Sequence, residues 1–290
     1  MAKVLKLYKQ IPFLQERYYK AASSKEVLLQ LIEENEVSEH VYNSNAIENS
    51  RLSLEETEKI LLQIDLDRYI SERELFETKN LAKVISYIRK NAKQQDLDKE
   101  TLLLLHKMLL SNIRDDVAGR FRNNDEWVRV GNYIAYDPKL IDKAISDMLA
   151  DYKDDTKTHI IKRIAKLHLT FEHIHPFIDA NGRIGRLLNN YMLIREGFVP
   201  INIKYIDREE YYKAFREFDL HKKTGIMEAI VGKALSNSYH KRLAYLEGKK
   251  IILLSKFAKQ EKTSHSNLIN KAKRQTIEAF LEKGVWKIGI

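Results

Sequence analysis

Twelve residues, HPFIDANGRIGR from His175 to Arg186, bring together a histidine, a carboxylate, an asparagine, two glycines and two arginines. An apolar helical stretch ends near Ile174 and another begins near Gly182, so the polar turn lies against a helix N-terminus. The first N–H groups of a helix have no partner within it, and the helix dipole favours anions there. Gly182 lets backbone approach a ligand closely, Asn181 offers an amide donor, and Arg183 and Arg186 lie three apart, placed to fork onto phosphate oxygens. Asp179 supplies the hard oxygen that a phosphate-bridging Mg²⁺ prefers. His175 is placed to take a proton from an incoming hydroxyl. Each of these residues alone is a common structural device: His-Pro ends helices, Asn-Gly makes turns, and arginines at helix starts are often solvated. Base, metal ligand and anion cradle in this order describe phosphoryl or nucleotidyl transfer.

Helices must position that turn. Helical periodicity dominates the chain, and few Gly and Pro interrupt it. The stretch THIIKRIAKLHLTFEHI carries apolar residues at Ile160, Ile161, Ile164, Ala165, Leu167 and Leu169, the pattern of a buried helix. GRIGRLLNNYMLIREGF follows the turn and stops at Gly197. Ser53 with Glu56 three residues later signals a capping box, and Asp98 opens DKETLLLLHKMLLSNI as an N-cap. Residues 23–50 predict an amphipathic helix and then a second helical segment around Val41 to Glu48. RFRNNDEWVRVGNYIAYDP departs from the helical pattern and reads as a short β-hairpin turning at Gly131-Asn132.

The bulk numbers limit the classes. The 290 residues are 44% hydrophobic and 31% charged, as in a globular protein, without an apolar run long enough to span a membrane. Zero Cys excludes disulfides and thiolate metal sites and fits a reducing, cytoplasmic setting; the start of the chain lacks a signal-peptide core. Neither a Walker lysine motif nor G-x-S-x-G is present, so P-loop and hydrolase readings have no anchor. His168, His173 and His175 lack the helical pairing with an adjacent Glu that a zinc protease shows. The formal charge of +9 is uneven: residues 249–290 hold ten Lys or Arg against three Glu, which places +7 there.

HPFIDANGRIGR resembles the signature of the Fic (filamentation induced by cAMP) family, H-P-F-x-[D/E]-[G/A]-N-[G/K]-R-x-x-R, with Ala180 where Gly is more usual. The resemblance implies an all-α Fic bundle that transfers AMP from ATP to a protein Ser, Thr or Tyr hydroxyl. It implies His175 as general base, Asp179 as Mg²⁺ ligand, Asn181, Gly182 and Arg183 as holders of the α- and β-phosphates, and Arg186 on the γ-phosphate. The hairpin at Val130, Gly131, Asn132 and Tyr133 is similar to the family's flap, which aligns a target segment by strand addition. Tyr211 and Tyr212 fall where related proteins hold the adenine. SNAIEN, Ser44 to Asn49, is similar to the family's inhibitory motif [S/T]-x-x-x-E-[G/N]. That resemblance implies an inhibitory helix at about 41–50, whose Glu48 forks onto Arg186 and keeps the enzyme off.

The expected layout is a helical N-terminal region over 1–98, a Fic core over 99–245, and a basic, winged-helix-like module over 246–290. Lys271, Lys273 and Arg274 on one helix of that module suit DNA phosphates, and a protein partner is the alternative. Competing readings are transfer of another phosphate-containing group, removal of AMP, and a nucleotide-sensing DNA-binding regulator. The oligomeric state stays open, a homodimer among the options; a membrane partner is not expected.

Overall fold

A computed structural model describes residues 2–130 and 133–290, so the expected turn residues Gly131 and Asn132 lie outside the described residues. Among the described residues the chain forms helices α1 (Ala2–Ala22), α2 (Glu26–Ile47), α3 (Leu54–Leu61), α4 (Glu72–Asn91) and α5 (Lys99–Leu110). After strands β1 (Arg129–Val130) and β2 (Tyr133–Ile134) come α6 (Ile141–Asp154), α7 (Ile160–Ile174), α8 (Asn181–Arg195), α9 (Arg208–His221) and α10 (Gly225–Leu246). None of these helices is long and apolar enough to cross a membrane.

The capping chemistry is where the sequence places it. Ser53 and Glu56 make the reciprocal capping box of α3, and Asp98 accepts from the Thr101 N–H at the start of α5. Ser71 and Glu74 form a second box that opens α4. One expectation is corrected: α2 is a single unbroken helix, not two segments. No Gly or Pro interrupts it, and its middle is fixed by a buried ion pair in which both guanidinium nitrogens of Arg242 meet the Glu36 carboxylate at 3.0 and 2.6 Å.

The core lies where α7 and α8 are enclosed by the other helices. α1 runs along α10 and buries Leu7, Ile11 and Leu14 beside Val231, Leu235 and Tyr239. A side chain at Gly232 would meet Leu7 Cδ1 at 2.9 Å, so glycine is what allows these two helices to approach.

The last segment has a small core of its own. Strand β3 (Ile251–Leu253) leads into α11 (Leu254–Gln260) and α12 (His265–Lys273), then a hairpin of β4 (Ala279–Glu282) and β5 (Val285–Gly289). The antiparallel sheet has the order β3-β5-β4, over Leu254, Ala258, Leu268 and Ala272. β5 is the central strand of the three. β3 and β4 escaped the sequence reading because Ile251–Leu254 is a short apolar run that suits helix or strand equally. The hairpin tip is docked on the body: the Lys283 N–H donates to Glu39 Oε1 at 2.9 Å, and its ammonium meets Glu58 Oε1 at 2.6 Å.

Candidate active site

The polar turn is built on two strained hinges. His175 ends α7 with φ 52° and Ala180 precedes α8 with φ 68°, both in the left-handed region that L side chains rarely adopt. Between them the Asn181 side chain closes the loop on itself. Its Oδ1 accepts from the Phe177 N–H at 3.0 Å and its Nδ2 donates to the Phe177 carbonyl at 2.9 Å. Asn181 therefore shapes the loop through its side chain, and what it turns toward the cleft is the backbone at the start of α8.

Residues that the sequence reading passed over hold this loop. Arg122, 3% exposed, donates through Nε to the His175 carbonyl at 2.9 Å and through Nη2 to the Tyr136 carbonyl at 2.8 Å, joining the turn to the segment after β2. His106 stacks on Phe177 with ring centroids 3.7 Å apart. Its Nδ1 accepts from the Gly119 N–H, which leaves the proton on Nε2, facing the Asp179 carbonyl at 3.3 Å. Glu172 lies behind His175, its Oε2 at 3.9 Å from Nδ1. Burial, reinforced by the charge of Glu48, pushes the Glu172 carboxyl up to about 8, so it keeps its proton at neutral pH.

The start of α8 is occupied from within. Arg186 Nη2 pairs with Glu48 Oε1 at 2.9 Å, while Nε and Nη2 also donate to the Ser44 hydroxyl and carbonyl at 3.0 and 2.8 Å. Glu48 and Ser44 thus share Nη2, and Ser44 also takes Nε. A Cβ on Gly182 would sit 2.2 Å from Glu48 Oε1. The carboxylate therefore rests directly on the first turn of α8, where an external anion would bind. Asp179 faces Arg73 at 3.1 Å and Arg183 at 3.3 Å, and Arg183 also meets Glu77 at 3.2 Å. Burial works to raise the Asp179 carboxyl, but Arg183, the Ala180 N–H and Arg73 outweigh it and hold it below the usual carboxylate range. A cavity of about 240 Å³ joins Glu48, Ser50, His175, Asp179, Gly182 and Arg183. Nucleotide-sized ligands occupy clefts of roughly 300–1,000 Å³.

The two tyrosines are placed differently. Tyr211 is 1% exposed; its hydroxyl meets His168 Nε2 at 2.8 Å and accepts from Arg186 Nη1 at 3.1 Å. It braces the arginine from inside the core and presents no face to an adenine. Tyr212 is half-buried, donates to the Ile47 carbonyl at 3.1 Å and has the Arg208 guanidinium over its ring. The three histidines diverge: His168 is buried with Asn189 and Tyr211, His173 meets Asp219 at 2.7 Å, and His175 faces the cleft. At the hairpin, the backbones of Val130 and Tyr133 pair antiparallel, and Val130 and Ile134 are exposed.

Residues 96–193, which include the turn, match the Fic/DOC family. The chain carries a Fic/DOC domain. Protein adenylyltransferase Fic of Nematostella vectensis is 32% identical over 180 residues, 60% of this chain and 42% of that protein. Its Drosophila melanogaster counterpart is 32% identical over 181 residues, 60% of this chain and 36% of that protein. The chain therefore spans less than half the length of these curated relatives. The fold is that of Fic structures: a Fic-domain signaling protein from Bacteroides thetaiotaomicron superposes with a TM-score of 0.74 at 21% identity, over 83% of this chain and 97% of that one. A Fic family protein from Desulfovibrio desulfuricans superposes with a TM-score of 0.66 at 18% identity, over 100% and 96% of the two chains.

Proposed function

We propose that this protein is an autoinhibited protein adenylyltransferase, moving AMP from ATP to a Ser, Thr or Tyr hydroxyl of a target protein. The observation that carries the reading is the Glu48 carboxylate lying on the Gly182 end of α8 and paired with Arg186 at 2.9 Å. An internal anion occupies a site made for an external one. With Glu48 withdrawn, the backbone N–H groups at the start of α8, Arg183 and Arg186 are the cations and donors available to a triphosphate.

Among the described residues, no cluster of three or more His, Asp or Glu could hold a metal by itself. Asp179 nevertheless fits Mg²⁺, which is commonly held by one or two carboxylates plus substrate phosphates. Its carboxylate is ionised, 28% exposed, lines the cleft and already gathers cations, namely Arg73 and Arg183. Mg²⁺ bound there would offset phosphate charge. The chain's own groups do the rest. His175 is neutral at physiological pH and takes the proton of the incoming hydroxyl as its oxygen bonds to the α-phosphorus. The bond to the β-phosphate bridge breaks, and pyrophosphate leaves. Positioning and charge stabilisation supply most of the acceleration, and the base contributes roughly 10²–10⁴-fold.

The target segment is expected to add a strand to the two-stranded hairpin, whose Val130 and Ile134 are exposed. The lack of cysteine supports a cytoplasmic setting. The test is labelling with radioactive ATP, Mg²⁺ and a cell lysate. Glu48→Gly should label itself or a target at least tenfold more than wild type, with a mass increase of one AMP on the product. Adding His175→Ala to that variant should abolish labelling and leave ATP binding intact. A Glu48→Gly protein no more active than wild type would remove the inhibitory role, and full activity without His175 would remove the base.

A further inference from the structure

The Fic chemistry leaves the C-terminal module unexplained. Helix α12 has two unlike faces. Leu268 and Ala272 are buried against Ile252, Leu254, Ala258 and Ile288. Asn267, Asn270, Lys271 and Arg274 follow one another at i, i+3, i+4 and i+7, and all four are exposed. That spacing makes one continuous stripe along the solvent side of the helix. Ion pairing does not account for it: neither Lys271 nor Arg274 has a carboxylate partner among the described residues, Arg274 donating only through Nε to the Asn270 carbonyl at 3.1 Å, whereas Lys249, Lys283 and Lys287 of the same module are ion-paired. Lys256, Lys259 and Lys262, on and after α11, are likewise exposed and without a carboxylate partner among the described residues. Cations without carboxylate partners beside a stripe of amides form a surface that attracts a polyanion and can also discriminate within it.

We propose that α12 is a recognition helix that lies in the major groove of double-stranded DNA, with Lys271 and Arg274 on phosphates or guanine edges and Asn267 and Asn270 reading adenine edges. The chemistry favours DNA over other polyanions. Asn pairs bidentately with adenine and Arg or Lys with guanine, whereas a membrane or an acidic protein needs only the charges. The geometry agrees: α11 and α12 are joined by a turn at residues 261–264, and Ser264 caps α12 by accepting from the Asn267 N–H. The β4–β5 tip, which could otherwise grip a backbone, is held by Glu39 and Glu58, so reading falls to the helix. The inference does not rest on adenylyl transfer.

The test uses the full chain and a pool of short duplexes of random sequence, selected for binding and then titrated against salt by fluorescence anisotropy. Non-specific affinity of roughly 10⁻⁴–10⁻⁶ M at physiological salt is expected, with enrichment of a preferred sequence above it. Lys271→Gln and Arg274→Gln should each reduce the slope of log affinity against log salt by about one. Asn267→Ala and Asn270→Ala should erase part of the enriched sequence while leaving the slope unchanged. Lys143→Gln, a surface lysine paired with Asp147, should change nothing. Circular dichroism confirms that each variant is folded. Wild-type slopes in both cation variants would overturn the proposal. So would a pool that yields no preferred sequence while anionic vesicles or an acidic peptide compete equally.

Discussion

His175 is held in the left-handed region behind a layer of protein. Burial first, with the Arg122 guanidinium adding to it, pulls its imidazole down from about 6.5 to about 4. The imidazole is therefore neutral across the physiological range, and it stays so in Glu48→Gly, because Glu48 is one of the neighbours that raise it. The acid limb of kcat/KM for that variant, which reports the free enzyme, is expected well below pH 6, tending toward 4. A limb at 6.5 or above would contradict the environment described for this side chain. At this scale the gathering of His175, Asp179 and Arg183 at one cleft was legible, because they share one short turn at a helix start. Arg122, His106 and Glu172 were not, since each acts through backbone or burial and carries no spacing signal. The burial of Tyr211 was not legible for a related reason: two adjacent aromatics on a helix point in different directions, and nothing local says which one faces inward.

α2 links two clusters of charge. One end of its second half carries Glu36 among Arg242, Lys241 and Arg89; the other end presents Ser44 and Glu48 to Arg186. Glu36 is 5% and Arg242 1% exposed, so Glu36→Gln strands a guanidinium in the interior. Urea denaturation should register a loss of roughly 3–5 kcal/mol, whereas replacing both partners by apolar residues should cost far less. A loss below about 1 kcal/mol would mean that water or another carboxylate takes over. The elements that sequence chemistry marked by caps, α3 and α5, came out where expected. α4 carries the same signal at Ser71 and Glu74, and it was there to be read. The unity of α2 was hidden because its burial changes along its length, outer half on the surface and inner half in the core, so no single amphipathic stripe runs through it.

Across the whole molecule, several histidines are buried neutral. Burial pulls His40 and His168 down to about 3, and His106 and His240 to about 4, against about 6.5 unfolded. The unfolded chain binds those protons first, so their contribution is present above pH 6.5 and is lost as pH falls. Glu172 runs the other way, contributing below its unfolded value near 4.5 and losing that as pH rises through about 8. Between pH 6.5 and 5 these four and His175 oppose one, and stability should fall on acidification by roughly 4 kcal/mol per pH unit. Urea midpoints at neutral and mildly acidic pH give the check; a flat or rising trend would refute it. The all-helical character and the basic tail were legible at this scale from periodicity and charge. The fastening of the tail onto α2 was not, because Lys283 and Glu39 are remote in sequence.

Glu39 and Glu48 stand nine residues apart on that helix, a rise of about 13 Å. Adding or deleting one residue between them would turn the far end by about 100° and aim the acid away from its arginine. The count of amino acids between these two glutamates is therefore a dimension of the molecule in its own right.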